Sequence, residues 1–148
     1  MNDINSTIAV SASALRAERL RLDVIASNLA NATTTRTPEG GPYRRRNVVF
    51  MADQLESDFG STLAALSEEG AARQGVRVTE VVDDPSPLHM VFEPGHPDAN
   101  AEGYVAYPNV NPVAEMVDLM AATRAYEANV QAVNATKRMS EAALSIGG

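Results

Sequence analysis

The fold is decided by the stretch from Asn111 to Ile146, which reads NPVAEMVDLMAATRAYEANVQAVNATKRMSEAALSI. Alternating steps of three and four residues from Met116 give nine positions, of which six are apolar. This spacing predicts the seam of a long helix that packs against a partner. The nine positions are Met116, Leu119, Thr123, Tyr126, Val130, Val133, Lys137, Ser140 and Leu144.

The opposite side of this helix carries small or apolar residues where charge would be expected, chiefly alanines between Ala121 and Ala142. One interpretation is ordinary, because alanine is the best helix former and is tolerated on any helix surface. The other is a helix packed on two sides, in which alanine allows close approach. A helix packed on both sides is typical of a layered assembly.

The first segment of the chain repeats the pattern. Six of its eight seam positions are apolar, and the opposite side is again small or apolar. The eight positions are Ile4, Ile8, Ser11, Leu15, Glu18, Leu22, Ile25 and Leu29. We predict a helix from near Asp3 to near Asn31, since asparagine tolerates the left-handed conformation that closes helices. The two terminal helices are therefore expected to pair or to join a common bundle.

The middle of the chain has a different composition and predicts a small β element. Alternating and β-branched residues predict short strands at residues 43–51, 76–82, 88–92 and 103–107. Residues 53–74 are acidic and alanine-rich, and they predict either a loose helix or a loop.

The expected fold class is mainly α with a small β element. Long N- and C-terminal helices pair as in a coiled coil, with short strands and loops between them. The expected division is an N-terminal helix at 1–32, a loop and β-rich insert at 33–110, and a C-terminal helix at 111–148. Within the insert, residues 53–74 form the acidic, variable part.

Charge and composition exclude several classes of function. The net charge is −7, and residues 51–107 carry eleven acidic residues against two arginines. This acidic middle argues against nucleic acid as the main partner. The chain has no cysteine, which excludes disulfides, thiolate metal sites and a cysteine nucleophile.

The N-terminus does not predict a cleavable signal peptide. No basic start precedes an apolar core, and Asp3 and Asn5 interrupt the segment. No run approaches the roughly 18 apolar residues of a transmembrane helix, so no membrane insertion is expected. A chain of this kind would leave the cytoplasm only by a route that accepts an uncleaved sequence.

The two histidines, His89 and His96, offer the one candidate for metal chemistry, together with Glu93 and Asp98. Such side chains can ligate zinc, but the seven-residue spacing beside prolines matches no ligand pattern and favours a tight loop. No Gly-x-Ser-x-Gly elbow and no glycine-rich phosphate loop is present. We therefore expect no enzyme, no metal or other cofactor and no small-molecule substrate.

Several segments resemble a known family. Residues 20–34, LRLDVIASNLANATT, resemble the signature shared by bacterial flagellar rod and hook axial proteins. Further segments are similar to one short member of that family, a protein of the proximal rod. They are 84–87 (DPSP), 94–105 (PGHPDANAEGYV), 107–111 (YPNVN), 115–120 (EMVDLM) and 124–130 (RAYEANV). Residues 53–74 depart from the family pattern.

The resemblance implies a structural subunit of the flagellar basal body, in the rod that crosses the periplasm. Members of the family are exported uncleaved through the flagellar type III apparatus and assemble helically around a central channel. The implied partners are other copies, sibling rod proteins, basal-body ring or junction proteins and the export apparatus. A sibling rod protein is the nearest alternative, a soluble helical adaptor is a second, and a zinc enzyme using His89 and His96 is a third.

Contacts within and between subunits are expected at seam positions of both helices and at asparagines beside them. The candidates are Ile8, Leu15, Leu22, Ile25, Asn28, Leu29, Met116, Leu119, Tyr126, Asn129, Val130, Val133 and Leu144. The asparagines are expected to bond across helices and fix their register. The alternative for each asparagine is a partly exposed polar residue without such a bond.

Overall fold

The computed structural model describes residues 2–54 and 74–146. Helix α1 spans Asn2–Ala30 and helix α2 spans Pro112–Ile146, so both predicted terminal helices are confirmed. Between them lie strands β1 (Arg46–Gln54), β2 (Gln74–Asp83), β3 (His89–Phe92) and β4 (Tyr104–Tyr107). Most of the acidic segment predicted as a helix or loop lies outside the described residues.

Helix α2 begins at a cap that the sequence encodes locally. Asn111 Oδ1 accepts hydrogen bonds from the backbone N–H of Val113 at 3.0 Å and of Ala114 at 3.3 Å. Pro112 follows, where a missing N–H costs nothing because the first helical amides have no partner within the helix. Glu115 lies in the first turn, near the positive end of the helix dipole. These features fix where α2 starts.

The strands form two separate two-stranded sheets, β1 with β2 and β3 with β4. The β3–β4 hairpin is antiparallel and pairs His89 with Tyr107 and Phe92 with Tyr104. Gly103 precedes β4 with φ +83°, a left-handed conformation that favours glycine. A Cβ on Gly103 would lie 2.9 Å from Cε2 of Phe92, so the hairpin also requires the absence of a side chain there.

The chain divides into two compact units, and both helices contribute to each. Unit 1 is drawn from the described residues of Met1–Arg19, Phe50–Thr79 and Thr123–Gly148. Unit 2 consists of Leu20–Val49 and Glu80–Ala122. In unit 1 the backbone N–H of Val76 in β2 donates to Ser13 Oγ in α1 at 3.0 Å. Ser13 and Ala17 are buried, so a small-residue face of α1 lies in the interior of this unit.

The expected fold class, mainly α with a small β element and with the terminal helices paired as in a coiled coil, is wrong. The structure has two helices and two small sheets. The terminal helices are present, but their pairing as a coiled coil is not shown among the described residues. A coiled coil buries its apolar seam, whereas Met116 and Leu144 are 45% and 69% exposed. The physical reason is that strands and polar groups occupy the inward faces. Ser13 contacts β2, and the fully buried α2 residues are Glu115 and Ala122.

We predict that Gly103→Ala lowers the free energy of unfolding by roughly 2 kcal/mol, since it adds both left-handed strain and a clash with Phe92. Gly40→Ala, at φ +91° with no atom within 4 Å, tests strain alone and should cost about 1 kcal/mol. Gly95→Ala has neither problem and serves as the control. Urea unfolding measures all three. Equal stabilities of the Gly103 and Gly95 variants would contradict the described hairpin.

Candidate assembly interface

A buried polar cluster in unit 2 joins the end of α1 to the start of α2. Asn28 and Glu115 are both 0% exposed, and Asn28 Nδ2 donates to Glu115 Oε2 at 3.1 Å. The same nitrogen donates to the carbonyl oxygen of Arg46 at 2.9 Å. Asn28 Oδ1 accepts from the backbone N–H of Arg46 at 2.9 Å and from the hydroxyl of Tyr43 at 3.0 Å. The Asn28 amide is therefore satisfied at both ends, as burial requires.

Arg45 supplies the positive charge of this cluster. Its Nε donates to Glu115 Oε1 at 2.5 Å, Nη2 lies 3.4 Å from Asp118, and Nη1 lies 3.6 Å from Asp84. Burial lowers the pKa of Arg45, but the hydrogen bond to Glu115 and the charges of Glu115, Asp118 and Asp84 outweigh it. The net pKa shift is upward. The buried Glu115 carboxylate thus faces a permanent cation.

Asn109 ties the loop before α2 to the same arginine. Its Oδ1 accepts from the backbone N–H of Arg45 at 2.9 Å, and its Nδ2 donates to the carbonyl oxygens of Asp84 and Ser86 at 3.2 Å each. Asp84 N–H donates to the Arg45 carbonyl at 2.7 Å. Hydrogen bonds from Ser86 lower the pKa of Asp84, and the Arg45 charge lowers it further. Three chain segments therefore meet at Arg45.

Of the side chains in this cluster, only Asn28 was predicted from the sequence to make contacts between helices. The chain has three consecutive arginines here, Arg44, Arg45 and Arg46. The structure separates the three arginines. Arg45 points to Glu115, while Arg46 lies over the Tyr43 ring at 5.8 Å and 3.5 Å from Asp83. Arg45 and Glu115 are 70 residues apart in the sequence, so no local spacing indicates their pairing.

The two predicted register asparagines have different surroundings. Asn28 bonds from α1 to Glu115 of α2, which is a bond between helices. Asn129 instead donates to the carbonyl of Ala125 in its own helix at 2.9 Å. Contacts of either residue with another subunit stay a prediction.

The predicted apolar seam positions are covered to different degrees. Ile25 is buried, at 5% exposed, whereas Met116 and Leu144 are exposed. The remaining seam candidates are half-buried, and they are Ile8, Leu15, Leu22, Leu29, Leu119, Tyr126, Val130 and Val133. Most of the seam therefore keeps some apolar surface open. Its role in subunit contacts stays a prediction.

The two histidines are placed separately. His96 Nδ1 accepts from the backbone N–H of Asp98 at 3.1 Å, and His89 is exposed in β3. The Asp98 carboxylate accepts from Thr35 Oγ1 at 2.8 Å. Among residues 2–54 and 74–146, no group of three or more histidine, cysteine or acidic side chains is placed to hold a metal ion. In the same ranges, no helix has the length and apolar character needed to cross a membrane.

Glu93, another acidic residue of that loop, accepts from the hydroxyl of Tyr107 at 3.1 Å. Burial raises the pKa of Tyr107, and the hydrogen bond and charge of Glu93 raise it further. Glu93 and Asp98 thus bond to a neighbouring tyrosine and threonine, which holds the loop against β4 and the segment after α1.

Two family models match the chain. The model described as flagella basal body rod protein matches residues 8–36, which include Asn28. The model described as flagellar basal body rod FlgEFG protein C-terminal matches residues 101–146, which include Glu115. Both ends of the chain are covered by these matches.

Curated relatives match over almost the whole length. The flagellar basal-body rod protein FlgC of Bacillus subtilis is 51% identical over 146 residues, covering 95% of this chain and 96% of the relative. The protein of the same name from Borreliella burgdorferi is 45% identical, with 95% of each chain covered. The one from Escherichia coli O157:H7 is 43% identical, with 93% of each covered.

We predict that Glu115→Gln lowers the free energy of unfolding by about 3 kcal/mol, because it leaves the Arg45 cation without its buried partner. Glu141→Gln is the matched control, since it removes an exposed pair with Lys137 that contributes at most about 0.5 kcal/mol. Chemical denaturation of the purified chain measures both. If both variants lost a similar amount of unfolding free energy, the buried pair would contribute no more to stability than the exposed pair.

The Asp84 carboxylate should contribute stability that depends on pH. Its folded-state pKa lies below the ordinary value of 3.8, so its contribution is present above pH 3.8 and is lost as the pH falls through the folded-state pKa. Asp84→Asn should therefore destabilise the chain at neutral pH, and the difference should shrink in acid. Unfolding curves of the wild-type and Asp84→Asn chains, measured from neutral pH into acid, test the sign of this pH dependence. A difference that grows in acid would refute it.

Proposed function

The chain belongs to the family of the flagellar basal-body rod protein FlgC, and we propose that it builds the rod through its two terminal helices. It is a structural rod subunit of the flagellar basal body. The observation that carries this conclusion is the 51% identity to the FlgC protein of Bacillus subtilis over 146 residues, which cover 95% of this chain and 96% of that protein.

The partial exposure of the seam supports assembly through the helices. Val130 and Val133 are half-buried, and Leu144 is exposed in the isolated chain. Neighbouring subunits would remove this apolar surface from water, which is the main favourable term in association. Contacts between unlike surfaces repeat from copy to copy and generate helical assemblies. The proposed product is the proximal rod, which transmits torque and encloses the export channel.

The proposed partners are other copies of this chain, sibling rod proteins, ring or junction proteins of the basal body and the flagellar export apparatus. The proposed location is the periplasmic part of the basal body, reached by export without cleavage. We propose no catalytic role, because the polar clusters described above consist of mutually satisfied side chains that hold loops and helix ends. The acidic middle supports protein partners over nucleic acid.

Val130→Asp should abolish rod assembly and swimming, because it places an unpaired charge on a seam that becomes buried between helices. Gln131→Asp adds the same charge at the next residue, which is exposed, and should leave swimming intact. Each variant replaces the wild-type gene in its own bacterium, with immunoblots to establish equal protein levels. Swim-plate expansion and micrographs of isolated basal bodies give the result. Normal swimming of the Val130 variant would refute the assigned seam.

A further inference from the structure

Helix α1 presents one exposed stripe to solvent along its second half. The exposed residues are separated by steps of three and four, so they lie on one side of the helix. The buried residues of the same segment, Ala17, Ile25 and Asn28, lie on the opposite side. The exposed residues are Arg16, Arg19, Leu20, Asp23, Ala26 and Ala30, which we term the α1 stripe.

Helix α2 carries a second stripe of the same length. Its exposed residues again follow steps of three and four, and the buried Glu115 and Ala122 lie on the opposite side of the helix. The exposed residues are Val117, Met120, Arg124, Glu127 and Gln131, which we term the α2 stripe. Each stripe thus faces away from the side that its own helix buries.

The charged side chains of both stripes are available to another molecule. Among residues 2–54 and 74–146, none of these five charges forms an ion pair or a hydrogen bond through its side chain. They are Arg16, Arg19, Asp23, Arg124 and Glu127. Each helix therefore offers an arginine and a carboxylate about one turn apart, both without a partner in the described chain.

The two stripes complement each other in one antiparallel register. When Arg19 lies opposite Glu127, Asp23 lies opposite Arg124, and both pairs have opposite charges. A shift by one turn sets Asp23 against Glu127 in one direction and Arg19 against Arg124 in the other. A parallel arrangement with Arg19 opposite Glu127 sets Arg16 against Arg124. Like charges at such positions are unfavourable, so the charges select the antiparallel register.

The apolar residues of the stripes agree with the register that the charges select. It places Ala26 opposite Met120 and Ala30 opposite Val117. Met120 and Val117 are 54% and 55% exposed, and the small alanine side chains leave room for them. Large residues facing small ones let two helices approach closely. These pairs were not used to choose the register, so they support it independently.

We infer that the α1 stripe of one copy packs antiparallel against the α2 stripe of the next copy in this register. The inference rests on the proposed function and specifies one contact of the assembly. The two stripes are different surfaces, so the contact is head to tail and leaves one stripe of each kind free for further copies. Exposed ion pairs add little affinity, but they suppress wrong partners and wrong registers.

Charge exchange tests the register in the bacterium that carries this gene. Arg19→Glu and Glu127→Arg alone should each slow swim-plate expansion about twofold or more, because each sets like charges against one another in every subunit. The double variant should recover speed, since opposite charges then face each other again. Arg19→Glu with Glu102→Arg is the matched control. It restores the same net charge at an exposed site outside both stripes and should not recover.

Cysteine cross-linking in isolated basal bodies provides a second measurement, and the chain has no native cysteine. Ala26→Cys with Met120→Cys, after oxidation, should give a ladder of linked copies. Each single variant should give none, because its cysteine faces a cysteine-free surface. Ala26→Cys with Ala128→Cys is the control, since exposed Ala128 lies on α2 roughly 12 Å from Met120, at about 1.5 Å per residue.

Recovery in the exchanged pair and a ladder in the matched cysteine pair alone support the contact. Three results would overturn it: no recovery in the exchanged pair, equal recovery in the Glu102 control, or rods that assemble without linked copies. Charge exchange decides the matter if the cysteine variants do not assemble. Rods that contain this chain but show none of these effects would leave the proposed function standing. Basal bodies without this chain in the rod would contradict the proposed function instead.

Discussion

The rest of the structure depends on one buried ion pair and the amide beside it. Glu115 is fully enclosed near the start of α2, and it is stable there because Arg45 and Asn28 satisfy both of its oxygens. A carboxylate without these partners would be costly to bury. The pair therefore brings together the end of α1, the residue just before β1 and the first turn of α2. Apolar contacts alone would not select one arrangement of these three segments.

Polar contacts fix how these segments pack, and much of the apolar seam stays partly exposed to solvent. The residues that hold unit 2 together at this point are polar, while much of the seam of α1 and α2 stays half-buried. The same division of roles appears in the hairpin, where Val105 faces inward and Phe92 faces outward. The partly open apolar surface is the one that we propose neighbouring rod subunits cover.

The sequence predicted the elements well and their packing poorly. The start of α2 was readable because Asn111 and Pro112 act on their own backbone neighbours, and the four strands were readable from local alternation. Helix α1 does end near Asn31, but without the left-handed conformation that was expected there, because no described residue other than glycine has a positive φ. The coiled-coil prediction failed because the spacing of apolar residues shows that one face of a helix is apolar but does not show which element covers that face. Arg45 and Glu115 are seventy residues apart, so their pairing leaves no local signal. Asn28 was singled out, but its partner could not be.

The central claim is that this chain is a rod subunit whose terminal helices are enclosed by neighbouring subunits. An electron cryomicroscopy map of basal bodies from the bacterium that carries this gene tests it most directly. The account predicts this chain within the rod, with Leu22, Tyr126 and Val130 covered by adjacent helices. A map in which the chain lies outside the rod, or in which these side chains face open solvent inside the complete rod, would contradict it.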